Sequence, residues 1–157
     1  MRRLLVILGV LALALPAASV AAKRDPADGT LSVRGGHGVF VVSARGAVIG
    51  SFARGKVIIT DPVDGDGTGP IVNGDEWQKE RSDTTTVYGG TKVRFRMIGG
   101  TFKIKVIASG VNLAVVGRGT VILNGAGSDD NGSYSVNGAP YADVPDFSTF
   151  ALNASSP

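Results

Sequence analysis

From Lys92 to Gly110 the chain reads KVRFRMIGGTFKIKVIASG. Val93, Phe95 and Met97 alternate with Arg94 and Arg96; beyond the glycine pair, Phe102, Ile104 and Val106 alternate with Lys103 and Lys105. Successive strand side chains point to opposite faces, so this pattern specifies strands with one buried and one wet face. An amphipathic helix would need a period of about 3.6, which no long window of the chain shows. Gly99 and Gly100 tolerate positive φ and predict a tight turn, hence a β-hairpin. The pattern continues in GVNLAVVG and GTVILNG, and occurs earlier in TLSVRGG, GVFVVSARG, AVIGSFARG and KVIITD. Glycines close these runs at Gly36, Gly46 and Gly55, and again at Gly100, Gly110 and Gly119. That is the strand-plus-turn spacing of sandwiches and barrels. The expected fold is all-β: about eight main strands forming an antiparallel β-sandwich, with a closed barrel as the alternative. Short extra strands are expected near TTTVYGG, SYSVNG and STFALN. A helical turn or two is expected only around GDEWQKERSD, where Asp75 and Glu76 suit a helix N-terminus.

The tripeptide Val-Asn-Gly occurs at Val72–Gly74 and again at Val136–Gly138, an offset of 64 residues. Sliding the chain on itself by that offset aligns Gly35 with Gly99, Gly46 with Gly110, Arg54 with Arg118, Gly55 with Gly119, Val57 with Val121 and Ile58 with Ile122. Identities at this spacing predict two tandem β repeats, 30–92 and 94–156. Two copies are too few for a solenoid, so the expectation is one domain, 30–157, whose halves bury their apolar faces against each other. Asn-Gly favours a type I′ turn, and the two Val-Asn-Gly copies read as equivalent turns.

Ahead of the repeats, Arg2 and Arg3 precede an unbroken apolar run from Leu4 to Leu15, followed by Pro16 and small residues through Ala22. This is the composition of a secretory signal peptide cleaved after residue 22, leaving a short tail at 23–29. The run is shorter than the roughly 18 residues that a spanning helix needs, and no later run is longer, so no transmembrane segment is expected after processing. With no cysteine in the chain, disulfides are excluded, and an exported domain without them points to a bacterial periplasm, envelope or extracellular space. The 16 Lys and Arg against 13 Asp and Glu fall almost into balance once Arg2 and Arg3 are removed. Overall charge therefore gives no case for a nucleic-acid partner.

Charge is nevertheless sorted along the chain. No acid occurs between Asp28 and Asp61 or between Asp83 and Asp129, whereas Arg34, Arg45, Arg54, Lys56, Lys92, Arg94, Arg96, Lys103, Lys105 and Arg118 fall there. In a symmetric hairpin Arg94 would face Lys105 and Arg96 would face Lys103, a destabilising arrangement that calls for a reason. Arg94, Arg96, Lys103 and Lys105 are thus the candidate patch for an anionic envelope polymer or glycan. A solvated strand face that resists edge aggregation, or a face covered by the acidic segment 61–83, would account for the same charges.

In DGDGTGPIVNGD, Asp64, Asp66 and Asp75 fall at the first, third and twelfth positions of an EF-hand-like loop and are the candidate calcium ligands. Thr68 at the fifth position and Asp in place of Glu at the twelfth are departures from that pattern, and most of the acids are lost in the second repeat. No other cofactor is implied. His37 is the only histidine, so a multi-histidine zinc site is excluded, and there is no nucleophile elbow, P-loop or dinucleotide fingerprint. The leading expectation is an exported, non-catalytic β-domain of the cell envelope or extracellular space that binds or packs against a partner. The alternative is a secreted carbohydrate-active or other hydrolytic enzyme using a pair among Asp64, Asp66, Asp75 and Glu76.

Overall fold

The computed structural model describes residue 25 and residues 27–127 and 130–154. The signal peptide expected at 1–22 lies outside the described residues. Among the described residues all regular structure is β: β1 (Gly29–Thr60), β2 (Gly67–Asn73), β3 (Trp77–Ser82), β4 (Thr85–Gly125), β5 (Ser133–Val136), β6 (Ala142–Asp143) and β7 (Ser148–Leu152). Every pairing is antiparallel, and the strands form one open sheet in the order β2-β4-β1-β5-β6, with β3 and β7 also paired to β4. Among the described residues no helix is long and apolar enough to cross a membrane.

Two strands dominate, and their register explains how. Phe40 of β1 pairs with both Val106 and Leu123 of β4, and Val106 in turn pairs with both Phe40 and Val57. Gly50 likewise lies between Phe95 and Leu113, and Leu113 between Val33 and Gly50. Each strand therefore meets the far side of its own partner seventeen or eighteen residues later. A straight strand of this length would extend roughly 100 Å at about 3.3 Å per residue and could not do so. The β1–β4 ladder must curl, so that the two chains wind about one another.

Curling is what the alternation rewards. Phe40, Val42, Val48, Phe52, Val57 and Ile59 of β1 and Val93, Phe95, Met97, Phe102, Ile104, Val106, Leu113 and Leu123 of β4 form one core. Each is at most 3% exposed. Complete burial of such a side chain contributes about 1.5–3 kcal/mol, and only a sheet that turns its apolar face inward buries them all. Val136, Val144 and Leu152 from the C-terminal segments close the same core.

The expected hairpin at Gly99–Gly100 is not formed. Both glycines have positive φ, 77° and 78°, yet β4 runs on through them. They make a corner of one strand, and the chains on either side keep β1 as their partner: Arg94 lies opposite Ser51, and Lys103 opposite Ser43. The cations are therefore not stacked against each other, and the repulsion that a hairpin would impose does not arise. The helical turn expected around 74–83 is β3 instead. All six of its side chains are exposed. It is held by pairing with β4 from Trp77–Gly89 to Ser82–Thr85, and the Trp77 ring occupies the space a Gly89 side chain would take. The expected short strands near SYSVNG and STFALN are β5 and β7, while TTTVYGG opens β4.

The two Val-Asn-Gly turns differ. Asn137 and Gly138 both have positive φ, 53° and 81°, and the Ala139 N–H donates to the Val136 carbonyl at 3.0 Å. This is the type I′ geometry expected of Asn-Gly. At the first copy only Gly74 has positive φ (81°), so the backbone there is not type I′.

Candidate functional site

The outward phase of the alternation carries the site. Around the β1 corner before Val48, the outer face is crossed by Ile49 and Ser51 of β1, Arg94 and Arg96 of β4, and Ile71 and Asn73 of β2. On the other side of β1 lie Asn112 and Ala114, the latter also paired with Ser32. Directly opposed residues share a face, so these side chains form a single surface. Its concavity is an open cleft of about 570 Å³, lined also by Arg34.

Three guanidinium groups face this cleft: Arg34, Arg94 and Arg96, all exposed. Among the described residues no carboxylate lines it. Among the described residues the ion pairs are those of Arg118 with Asp25 and, at 3.4 Å, with Asp28. Arg34, Arg94 and Arg96 thus have no carboxylate of the described residues within ion-pair reach. Arg34 is held at one end by stacking on Tyr141, 4.0 Å from guanidinium carbon to ring centroid, a contact worth about 0.5–1 kcal/mol at an exposed site. The Tyr141 hydroxyl donates to Ser32 Oγ at 2.7 Å, which fixes the ring. Arg94 and Arg96 stand at the other end. The row Val33–Leu113–Gly50–Phe95 separates the two ends by three strand spacings, about 14 Å. Between them the floor is small or neutral: Ser51, Ala114, Asn112 and the exposed Ile49.

The four cations singled out in the sequence are thereby divided. Arg94 and Arg96 line the cleft. Lys103 and Lys105 are exposed beyond the Gly99–Gly100 corner, beside Thr60 and Ile58. Arg34, in sequence only one cation of an acid-free stretch, joins the cleft because the coil brings β1 back beside β4. The acidic segment does approach this face through β2, where Asn73 and Ile71 pair with Arg94 and Arg96, but it places no carboxylate on the arginines.

The acids serve other positions. Asp66 Oδ2 accepts the Thr101 N–H at 2.9 Å, and Asp66 lines a separate hollow with Arg45, Arg118, Asp25 and Asp28. Glu76 Oε1 accepts the Thr91 N–H at 3.1 Å and its hydroxyl at 2.5 Å. Asp64 is exposed between β1 and β2, and Asp75 is half-buried. Among the described residues no group of three or more acidic, histidine or cysteine side chains stands together as a metal site would require. His37 is exposed, its backbone N–H donating to the Asn131 carbonyl at 3.0 Å.

The arrangement offers paired donors at both ends of a neutral floor. Guanidinium groups bind carboxylate, sulfate or phosphate through paired N–H donors, and the neutral floor admits an uncharged stretch between two anionic groups. Compared with models of known protein families, with curated proteins and with solved structures, the chain matches none.

Proposed function

We propose that the protein is an exported, non-catalytic β module that binds an acidic glycan of the bacterial envelope or extracellular space in the Arg34–Arg94–Arg96 cleft. The observation that carries this reading is three arginines on one concave face with no carboxylate of the described residues among its lining. The separation of its two ends favours an oligomer over a single small ion, and the Asn and Ser side chains of the floor suit hydroxyl groups. Export rests on the charged-then-apolar leader, Arg2 to Ala22.

Within this reading the domain is two duplicated halves packed as two facing layers. The pairing supports it: a shift of 64 residues carries the Phe40–Val106 pair onto Ile104–Val42, and Val72–Phe95 onto Val136–Leu31, all of which are paired. Gly38, Gly46 and Gly55 of β1, all at positive φ, divide each seventeen-residue turn into two straight runs, as two stacked layers require.

The test is retention on immobilised polygalacturonate, with a neutral glycan as the control. Retention at low salt that weakens as salt rises supports the proposal. Equal behaviour on the neutral matrix, or no retention at low salt, overturns it.

A further inference from the structure

The chain contains four Asn-Gly dipeptides, at Asn73, Asn124, Asn131 and Asn137. An asparagine before glycine is chemically labile, because the following nitrogen carries no neighbouring side chain to hinder its attack on the amide. We infer that Asn73 alone of the four is a site of spontaneous deamidation in the folded protein, and that its conversion sets a negative charge beside Arg94 in the cleft.

The structure separates the four by what holds each amide. Asn137 Oδ1 accepts the Thr30 N–H at 3.3 Å, and its Nδ2 donates to the Ala151 carbonyl at 2.9 Å and to Asn153 Oδ1 at 3.2 Å. Asn131 is 9% exposed, and its Oδ1 accepts the Ala126 N–H at 3.2 Å. The Asn124 amide faces the Gly125 and Asp146 carbonyl oxygens at 3.0 and 3.2 Å. Asn73 and Gly74 are both exposed, at the end of β2, and among the described residues no group hydrogen-bonds the Asn73 side chain. Rotation of that amide onto the Gly74 nitrogen breaks no side-chain hydrogen bond to a described residue, whereas the other three must first give up bonds worth about 0.5–1.5 kcal/mol each.

The steps balance with solvent water alone. The Gly74 nitrogen attacks the Asn73 side-chain carbonyl carbon, its proton leaves with the amide as ammonia, and a cyclic imide forms. Water opens the imide to aspartate or to its β-linked isomer. Either product is ionised at neutral pH. Because Asn73 and Arg94 are directly paired, the new carboxylate shares the face of Arg94 and competes with an anionic ligand for it. This consequence for binding rests on the proposed function; the site of modification does not.

The experiment is peptide mapping by mass spectrometry of the folded protein during incubation in warm, mildly alkaline buffer, with a urea-unfolded sample in parallel. The Asn73 peptide is expected to gain the mass of amide-to-acid conversion first, while the other three stay intact until the chain is unfolded. Conversion at Asn124, Asn131 or Asn137 as fast as at Asn73 in the folded protein overturns the inference. So does an Asn73 that converts only in urea. Retention of Asn73→Asp on polygalacturonate, compared with Asn73→Ser, reads the consequence, expected to be about two- to fivefold weaker. If the unmodified protein is not retained, the proposed function fails while the modification stands. If Asn73→Asp is retained as well as Asn73→Ser, the link between deamidation and the cleft is overturned.

Discussion

Asp66 reaches from the β1–β2 connection to accept the backbone N–H of Thr101 at 2.9 Å. It thereby anchors the corner at which β4 bends through Gly99 and Gly100. Its other oxygen fills the space over Gly100, where an added Cβ would lie 2.2 Å from Oδ1. Removing the carboxylate leaves a part-buried donor unpaired at a bend made of two glycines. Asp66→Ala is expected to cost about 1–3 kcal/mol in urea unfolding. Asp66→Asn, which keeps an acceptor oxygen, should lose less. Equal stability of Asp66→Ala and the parent chain would show that the corner does not depend on this bond.

The same bond bears on calcium. A calcium ion takes six to eight oxygen ligands. Asp66 is committed to Thr101, and Asp64 and Asp75 do not gather with it into a cluster. Millimolar calcium is therefore expected to leave the melting temperature unchanged, since an ion without a folded-state site adds no linkage stabilisation. A rise in melting temperature that disappears in Asp64→Asn would restore the EF-hand-like character of this loop.

Beneath the cleft, Gly50 lies against the ring of Phe95, and a Cβ added there would sit 2.2 Å from Cζ. The absent side chain is what lets Phe95 occupy the core at 2% exposure. Gly50→Ala is expected to destabilise by about 1–3 kcal/mol through overpacking. Combining it with Phe95→Leu should recover part of that loss, a coupling that a double-mutant cycle measures. Strictly additive losses would mean that the two residues do not compete for the same space.

Much of this was legible in the sequence. Val93, Phe95, Met97, Phe102, Ile104 and Val106, the inward phase of the alternation, are all buried, and Arg94, Arg96, Lys103 and Lys105 are all exposed. Alternation carries that information locally, because strand side chains alternate whatever the partner is. Partner choice is not local. Gly99–Gly100 serves a hairpin turn or a corner equally well, since positive φ is required by both, and only the β1 register decides between them. Trp77–Ser82 resembles a polar helical turn because an edge strand exposed on both faces shows no alternation; its pairing with β4 is a long-range fact. Arg34 was visible as a cation in an acid-free stretch. Its meeting with Arg94 across three strand spacings follows from the coil, which no short window encodes.

The most direct test compares two variants on immobilised polygalacturonate at low salt: Arg34→Ala/Arg94→Ala/Arg96→Ala and Lys103→Ala/Lys105→Ala, both first shown to unfold at the same urea midpoint as the parent. If the cleft is the binding site, the triple arginine variant loses retention. The lysine variant keeps most of it, because rim charges outside the site contribute little more than steering. Equal loss in the two variants, or greater loss in the lysine variant, would contradict the account and return the site to the strand face beyond the Gly99–Gly100 corner.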